Sequence, residues 1–440
     1  MKDHFYSLVD HATKSLQGGE LFFATLVGET SDFVRFNHGK VRQATSVTQA
    51  HVELTLVHEG KRQSITISLS SRPDLDAARV DESLADLRKE LQSQTADPYL
   101  VLPTEIRSSE LEKKGRMPSR DEAVSDVVAA AEGLDLVGLL ASGRICRGFA
   151  SSTGQRNWHA LDNFNFDWST VHSADKAVKS FWAGSDWDRQ ELARRIDIAR
   201  RRLGYLDKPS KKLTPGSYRT YLAPSAVDSL VRMLNWGGFS ERSQRTKQSA
   251  LQRLVDGEVQ LSEAFTLAEH TAEGMVPLFD ELGFARPGSV AMIQRGKHAG
   301  SLVSSRSAKE YGVTANGANE EEDMQSMVMD AGALPTNEVL RALDTGIYIS
   351  NLWYLSVSDR NSCRITGLTR FETFWVEKGE IIAPVDVMRF DDSIYRIFGE
   401  SLESLTSERE FSVNPGTYSH RSIDTSLLPG ALLRDFRLTL

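Results

Sequence analysis

The sequence has few cysteines and lacks long apolar stretches. Only two of its 440 residues are cysteine, Cys146 and Cys363, and 217 positions separate them. Two cysteines cannot build a disulfide framework, and such scarcity is typical of a reducing compartment, which predicts a cytoplasmic location. No apolar run approaches the roughly 18 residues of a membrane-spanning helix, and the N-terminus lacks the apolar segment of a secretory signal. We therefore expect a globular chain without membrane spans.

Histidine is present without the spacing of a metal site. A zinc-peptidase helix needs two imidazoles about one turn apart, so that both point at one ion. The nearest pairs among the ten histidines, such as His4 and His11, are seven positions apart. His58 and Glu59 begin like such a motif, but no second histidine follows at the required distance. The local pattern predicts no metal-binding residues in this chain, while a site assembled from distant residues stays open.

Nucleotide and nucleic-acid motifs are also missing. The sequence has no glycine-rich dinucleotide loop, no phosphate-binding loop and no GxSxG nucleophile turn. The arginines at 194–195 and 200–202 would suit phosphate, but no aromatic platform accompanies them, which favours a solvated helix face. A net charge of −8 gives no general attraction to nucleic acid. We expect neither nucleic acid nor a membrane as a partner.

Hydrophobic periodicity in the first half predicts helices and an antiparallel meander with one buried face. Residues 4–17 have the spacing of an amphipathic helix. Alternating apolar residues then predict short strands at 21–27, 33–36, 41–43, 52–56 and 65–69. The segment Asn37-His38-Gly39-Lys40 predicts a tight hairpin turn, because Asn and Gly tolerate positive φ.

Further elements follow before residue 205. A helix at 74–93 is expected to bury five residues, which are Leu75, Ala78, Leu84, Leu87 and Leu91. Ser119 and Glu122 form a capping box that opens a helix to about residue 132. A charged helix at 187–203 is expected to end at Gly204. Strands are predicted at 134–142, 144–152 and 158–172.

The polar segment 205–215 carries two prolines and predicts a domain boundary. We therefore expect an N-terminal α+β domain, residues 1–208, and a β-rich C-terminal domain, residues 209–440. The fold class is α+β, with an N-terminal antiparallel sheet with helices and a mostly β C-terminal domain. The acidic segment 316–326 predicts a surface loop.

The second half opens with a strand and a helix and then becomes rich in strands. Pro224 suits the first turn of a helix whose inward residues are Val227, Leu230, Val231 and Leu234. Strands are predicted at 217–222, 289–295, 347–357, 365–376 and 380–390. On the fourth of these, alternation places Phe371 and Trp375 on one face and Phe374 on the other. We expect Phe371 or Trp375 to be buried.

Several segments resemble the TldD/PmbA family, in the order expected of it. They are VRFNHGKVRQ (34–43), LTPGSYRTYLAPSAVDSLVRML (213–234), TGIYISNLW (345–353), TGLTRFETFWVEKGEIIAPV (366–385) and LLPGALLRDF (427–436). The most specific is an aromatic residue followed by the pattern (I/V)E-x-G-E-I-x-x-P-V. The resemblance covers nearly the whole chain and implies two α+β domains, the second mostly β.

The resemblance also implies a chemistry for which this sequence lacks the residues. Catalytic members carry HExxxH on a helix of the C-terminal half and a cysteine ligand near the end, and they are zinc peptidases that degrade or trim peptides. Here the corresponding helix reads SLVRMLNWGGFSERSQ (229–244), and the late segment 411–430 has no cysteine. Cys363 lies earlier and is interpreted as a small buried hydrophobe. We expect no catalytic residue and no bound cofactor in this chain.

Three functions stay open at this point. The resemblance favours a non-catalytic subunit, similar to the PmbA/TldE branch, of a heteromeric zinc metallopeptidase. It implies a TldD-like partner that carries HExxxH and the zinc, and a peptide as substrate; a homodimer stays open. The alternatives are an independent peptidase with an unconventional site and a regulatory protein of the gyrase-modulator type.

The segment that replaces the zinc helix provides candidates for the wall of a peptide chamber. Asn235, Trp236, Gly237 and Gly238 take the place of the ligands. Trp236 is expected either to form a flat apolar wall or to belong to the core, and the sequence favours neither. Glu241 is the acid nearest to the missing general base, and we expect it to do no chemistry.

Overall fold

The chain folds into two sheets with helices packed against them. The computed structural model describes residues 1–103, 105–173 and 176–440. The first sheet contains seven strands, β1 (Leu21–Asn37), β2 (Lys40–His58), β3 (Lys61–Ser68), β4 (Ser109–Lys113), β5 (Asp135–Ser151), β6 (Arg156–Ser173) and β7 (Lys176–Gly184). Their order is β3-β2-β1-β5-β6-β4, and β7 pairs with β6. Four helices accompany them, α1 (Lys2–Lys14), α2 (Pro73–Leu91), α3 (Arg120–Ala130) and α4 (Arg189–Leu206).

The second sheet is largely antiparallel and follows residue 215. Its strands are β8 (Gly216–Leu222), β9 (Leu267–Glu269), β10 (Val290–Gln294), β11 (Lys297–His298), β12 (Ser326–Met329), β13 (Gly346–Asp359), β14 (Arg364–Glu377), β15 (Glu380–Pro384), β16 (Arg389–Ser393), β17 (Leu402–Val413) and β18 (Thr425–Leu438). The order β11-β10-β9-β12-β18-β16-β14-β13-β8 closes partly into a ring, because β8 also pairs with β18. Strands β15 and β17 are added at β14 and β18. The two sheets and their helices confirm the α+β class.

Helix α5 (Pro224–Leu234) packs against β13 and β18 of the second sheet. Its apolar stripe is fully buried, which confirms the four residues expected to point inward. The remaining helices are short, α6 (Glu241–Arg245), α7 (Gln252–Val255), α8 (Ser305–Tyr311), α9 (Val339–Leu343) and α10 (Ile394–Ile397). Within the described residues, no helix combines the length and apolar character that crossing a membrane requires.

The strands of the first sheet are longer than the predicted ones. The hairpin turn is confirmed, with His38 and Gly39 at φ of 51° and 64°, but β1 continues through the polar segment that separated two predicted strands. Glu29 lies in this segment and is buried, yet its carboxylate accepts hydrogen bonds from Ser31 Oγ at 2.9 Å and Gln49 Nε2 at 2.6 Å. Hydrogen bonding of a buried charge thus permits a strand where alternation fails.

Two helix predictions were wrong in detail. Leu75 and Ala78 are exposed, and Asp76 occupies the inward position instead, because its carboxylate accepts hydrogen bonds from the Ser70 amide and lies 2.9 Å from His4 Nε2. Helix α4 does not end at Gly204 but continues to Leu206, which is buried. The capping box of Ser119 is confirmed.

Buried polar groups join the two sheets. Glu372 of β14 is fully buried and accepts hydrogen bonds from Arg202 Nη1 of α4 at 2.8 Å and from the Lys179 amide of β7 at 3.2 Å. Arg421 is also buried and donates to Asn163 Oδ1 of β6 at 2.6 Å and to the Gly143 carbonyl at 3.2 Å. The interpretation of the arginine cluster as a solvated face was therefore wrong for Arg202.

Both cysteines are buried and free. Burial raises the pKa of Cys363 to about 12, so this thiol stays protonated at neutral pH. The side chain packs in the core of the second sheet, which confirms its interpretation as a small hydrophobe.

His159 provides a pH test of the contact between the sheets. Its Nε2 donates to the Met275 carbonyl at 3.0 Å, and Nδ1 is buried without a partner in the described chain. Burial, with Arg147 and Lys113 nearby, lowers the pKa of His159 to about 4. An unfolded histidine has a pKa of about 6.5, so between these values the unfolded state binds more protons and acid destabilises the fold.

We therefore expect the free energy of unfolding to decrease as the pH is lowered below 6.5. Above pH 6.5 we expect no such decrease from His159. His159→Gln keeps a donor towards Met275 and does not titrate. Between pH 7 and 5, the wild type should lose about 2 kcal/mol more unfolding free energy than this variant. Urea unfolding at each pH measures the difference, and equal losses in both proteins would contradict the assignment.

The aromatic strand gives a second stability test. Phe374 is fully buried, whereas Trp375 is half-buried beneath Lys211 Nζ, 4.3 Å from its ring. Phe371 sits in a β-bulge with φ of 59° and is also only half-buried, so the predicted alternation is broken and the expected burial was wrong.

Phe374→Ala should lower the unfolding free energy by about 3–5 kcal/mol, because it leaves a cavity in the core. Trp375→Ala should cost only about 1–2 kcal/mol, since it removes a half-exposed ring and one cation–π contact. Urea titrations of the two variants compare these costs, and a Trp375→Ala loss as large as that of Phe374→Ala would refute the ranking.

Candidate functional site

A cleft with a volume of about 270 Å³ runs between the sheets along one side of α5. Strands β6, β7, β13, β17 and β18 supply the other walls. Helix α5 contributes polar residues from the face opposite its buried stripe, because Ser225, Asp228, Ser229 and Arg232 repeat at helical spacing. This is the helix whose sequence, by resemblance, replaces the zinc helix.

Each charged side chain that lines the cleft has an ionic partner, either in the cleft or beside it. Arg232 Nε donates to Asp228 Oδ2 at 2.7 Å on α5. Lys179 of β7 is hydrogen-bonded to Asp167 of β6. Glu410 of β17 accepts from Arg195 Nη1 at 2.9 Å. All three carboxylates that line the cleft are therefore ion-paired.

Two strand edges face this cleft. Among the described strands, β7 pairs only with β6, and β17 pairs only with β18. Lys179 and Phe181 of β7 line one side, and Ser412 and Val413 of β17 line another. Side chains already occupy part of these edges. The Lys179 amide donates to Glu372 at 3.2 Å, and the Phe181 and Val413 carbonyls accept from Arg195 Nη1 at 2.9 Å and from Asn165 Nδ2 at 3.2 Å. Backbone groups that stay free along a strand edge can pair with an extended peptide.

The predicted chamber residues lie in the turn that ends α5. Trp236 is 69% exposed, so it does not belong to the core. Residues 228, 232 and 236 are four positions apart, and Asn235 retains helical dihedral angles (φ −70°, ψ −12°). Trp236 follows Arg232 by four positions in the sequence, but it is not among the side chains that line the cleft.

The other three residues of this turn shape its backbone. The Asn235 side chain forms two hydrogen bonds with the backbone of Met324, donating to its carbonyl at 2.8 Å and accepting from its amide at 2.7 Å. Gly237 has φ of 76°. A Cβ atom at Gly238 would lie 2.2 Å from the Leu234 carbonyl oxygen. Asn235 and the glycines thus fix the turn, and only Trp236 is displayed.

Glu322 anchors the region behind this turn, and no sequence pattern indicated this role. It is only 1% exposed, so the prediction of 316–326 as a surface loop was wrong for this residue. Its carboxylate accepts from Ser240 Oγ at 2.6 Å and the Arg242 amide at 3.0 Å, and from the Ser304 amide and Oγ at 2.9 Å each. Burial opposes ionisation, but these hydrogen bonds outweigh it and lower the pKa of Glu322.

Glu241 lies beside this carboxylate site and has a structural partner. Its Oε1 accepts from Arg245 Nε at 2.7 Å, one turn along α6. The residue is 8% exposed and does not line the cleft. Arg232 therefore lines the cleft, whereas neither Glu241 nor Trp236 does.

The residues present do not fit a zinc ion. The cleft-facing stripe of α5 offers no imidazole, and its one carboxylate is engaged by Arg232. Within the described chain, no three His, Cys, Asp or Glu side chains are grouped so that they would hold a metal ion. A zinc site needs three or four such donors around one point.

A family profile described as the PmbA/TldA metallopeptidase C-terminal domain matches residues 215–439, which is more than half of the chain. The chain belongs to the PmbA/TldD family. No curated protein sequence is significantly similar to it. The family match covers β8 to β18, and with them α5, the cleft-facing stripe and the Trp236 turn.

Solved structures share the fold over the full length of this PmbA/TldD protein. TldE from Thermococcus kodakarensis superposes with a TM-score of 0.81 at 16% identity, covering 99% of this chain and 100% of that one. A protein from Thermotoga maritima, named as a candidate modulator of a DNA gyrase, gives 0.78 at 15% identity and 99% of both chains. A similarly named protein from Bacteroides thetaiotaomicron gives 0.73 at 15% identity, covering 100% and 98%.

Glu322 gives a direct test of how the Trp236 turn is held. Glu322→Gln removes the negative charge that faces the amides of α6 and α8, and a neutral amide oxygen cannot accept all four hydrogen bonds equally well. We expect a loss of about 2–3 kcal/mol in unfolding free energy. Glu321→Gln makes the same change at the exposed neighbour and should stay within about 0.5 kcal/mol of the wild type. Equal effects in urea unfolding would refute the structural role of Glu322.

Proposed function

We propose that this chain is a TldE-like, non-catalytic subunit of a heteromeric zinc metallopeptidase. The single observation that carries the proposal is the cleft along α5, whose charged side chains all have ionic partners and whose stripe offers no imidazole and no free carboxylate. The family match includes α5, which by resemblance takes the position of the zinc helix. The likeness to TldE supports the non-catalytic branch. In this proposal a TldD-like partner carries HExxxH and its zinc.

The role of this chain is to complete a chamber that holds an extended peptide. The N–H and C=O groups of the β7 and β17 edges that no side chain occupies would pair with the peptide backbone, which is independent of peptide sequence. Trp236 would offer a flat apolar wall for peptide side chains at one end of α5. Paired charges leave the cleft without excess charge, so we expect little preference for acidic or basic peptides.

Peptidase assays with a reconstituted pair test the proposal. The partner should be the HExxxH-bearing family member recovered with this chain by pull-down from the host. This chain alone should cleave no unstructured peptide, and the mixture should cleave it in a chelator-sensitive manner. Chelator-insensitive cleavage by this chain alone would favour an independent peptidase, and recovery of no such partner would favour a regulatory protein.

Variants of two residues distinguish a side chain that only binds the peptide from one that takes part in the reaction. Trp236→Ala should raise the KM of the complex by about tenfold with little change in kcat, because it removes a binding surface and not a reacting group. Trp236→Phe keeps an apolar ring and should restore most of the affinity. Glu241→Gln should leave kcat nearly unchanged, since its carboxylate only pairs with Arg245.

A thousandfold fall in kcat for Glu241→Gln is the scale of a lost general acid–base group, about 10³. That result would show that this chain has chemistry of its own and would contradict the proposal. Thermal melts of each variant serve as the control for folding.

A further inference from the structure

A small pocket lies between the first sheet and two segments beside it, residues 100–103 and 281–282. It has a volume of about 60 Å³ and shares no lining residue with the cleft along α5. We call it the Phe149 pocket, after one of the rings at its floor. Since a water-sized group needs roughly 10–15 Å³, the pocket has room for a chain of about four or five non-hydrogen atoms.

The floor of the Phe149 pocket is apolar. Phe149 of β5 and Phe23 of β1 are both buried, and their rings stack with the centroids 6.1 Å apart. Leu100 and Leu102 pack against these rings from the segment that follows α2. Because the removal of apolar surface from water is favourable, this floor favours a hydrocarbon chain as ligand.

Hydrogen bonds hold the two segments in place around the pocket. Thr25 Oγ1 of β1 donates to the Glu281 carbonyl at 2.7 Å. On the other side, Lys309 Nζ of α8 donates to the Leu100 carbonyl at 2.9 Å. The pocket is therefore preformed, and a ligand that enters it loses little free energy to rearrangement of the protein.

Acidic groups outnumber basic groups around this floor. Glu53, Glu281 and Glu320 line the pocket, together with the guanidinium of Arg62. Arg62 Nη1 lies 2.6 Å from Glu320 Oε1, and Nη2 lies 4.0 Å from Glu53 Oε1. The cation of the described lining is thus already engaged, and three carboxylates against one guanidinium leave a surplus of two acidic groups. A cationic ligand would complement this surplus.

Glu281 lacks a close cationic partner in the described chain. The nearest guanidinium nitrogen, Arg286 Nη2, lies 4.0 Å from Glu281 Oε2, at the limit of an ion pair. Oε1 accepts from the Glu320 amide at 2.7 Å. Burial raises the pKa of Glu281, because its surroundings do not fully compensate the negative charge. A cation beside this carboxylate would supply the missing compensation.

We propose that the Phe149 pocket binds a short primary alkylammonium of about four carbons, a length set by the volume of the pocket. The hydrocarbon chain lies on the rings of Phe23 and Phe149, and the ammonium donates to the Glu281 carboxylate. An anion of the same length would meet like charges, and a bare metal cation would leave the apolar floor uncovered. A free amine and a lysine side chain share this chemistry. The proposal does not depend on the peptidase role.

Ligand-observed NMR titrations of the purified chain test the proposal. n-Butylammonium should bind saturably, with a dissociation constant of about a millimolar or below, which its five non-hydrogen atoms allow. Butyrate and n-butanol are similar in length and carry no positive charge, so they should bind at least about tenfold more weakly.

A lysine derivative distinguishes the two sources of the ligand. Nα-acetyl-lysine amide carries the same butylammonium on a peptide-like group. If it binds at least as tightly as n-butylammonium, the pocket accepts a lysine side chain; if it binds more weakly, the pocket is a site for a free amine. Both results support the shared chemistry.

Two variants test the assigned contacts. Glu281→Gln keeps the shape of the side chain and removes its charge, so it should weaken n-butylammonium binding about tenfold. Leu102→Trp should fill the pocket and abolish binding in the folded protein. Glu132→Gln is the matched control, because Glu132 is exposed and does not line the pocket. This control should bind n-butylammonium like the wild type.

The absence of saturable n-butylammonium binding up to about 20 mM would overturn the proposal. So would butyrate binding as tight as that of n-butylammonium, or equal affinities of the Glu281→Gln and Glu132→Gln proteins. Thermal melts show which variants are folded, and the comparison of ligands on the wild type decides the matter if a variant does not fold.

Discussion

The buried carboxylate of Glu372 fixes the relation between the two sheets, and the cleft depends on that relation. Its partners are the Arg202 guanidinium and the Lys179 amide, both from the first half of the chain. A fully buried charge is tolerated only when hydrogen bonds replace water, so the sheets cannot separate without exposing an unpaired ion. The bond to Lys179 also holds β7 in place, and β7 supplies one wall of the cleft.

Helix α5 shows how the packing of one helix face determines what the opposite face presents to the cleft. Its buried stripe packs into the second sheet, which fixes the orientation of the opposite face. That face carries Asp228 and Arg232, which neutralise each other. Beyond the helix, Asn235 and two glycines bend the chain so that Trp236 is displayed, and Glu322 fixes the loops behind it.

The sequence predicted those structural features that depend on interactions between residues close together in the chain. The hairpin at Asn37–Lys40, the capping box of Ser119 and the inward stripe of α5 all followed from residues a few positions apart. Glu322 could not be found in this way, because Ser240 and Ser304 lie far from it in the sequence. The acidic composition around it predicted a solvated loop, and only tertiary hydrogen bonding reveals a buried carboxylate.

The same distinction applies to the candidate site. The resemblance drew attention to α5, but the opposing walls of the cleft come from β7 and β17, which are distant in sequence. The exposure of Trp236 was also undecided, since it depends on whether another element covers the turn.

The central claim is that this chain shapes a peptide chamber and leaves the metal to its partner. Zinc analysis of the isolated chain and of the reconstituted pair after exhaustive dialysis tests it most directly. We expect no retained zinc in the isolated chain and about one zinc per pair, as a single set of three or four ligands would bind. One equivalent of zinc retained by the isolated, untagged chain would contradict the claim.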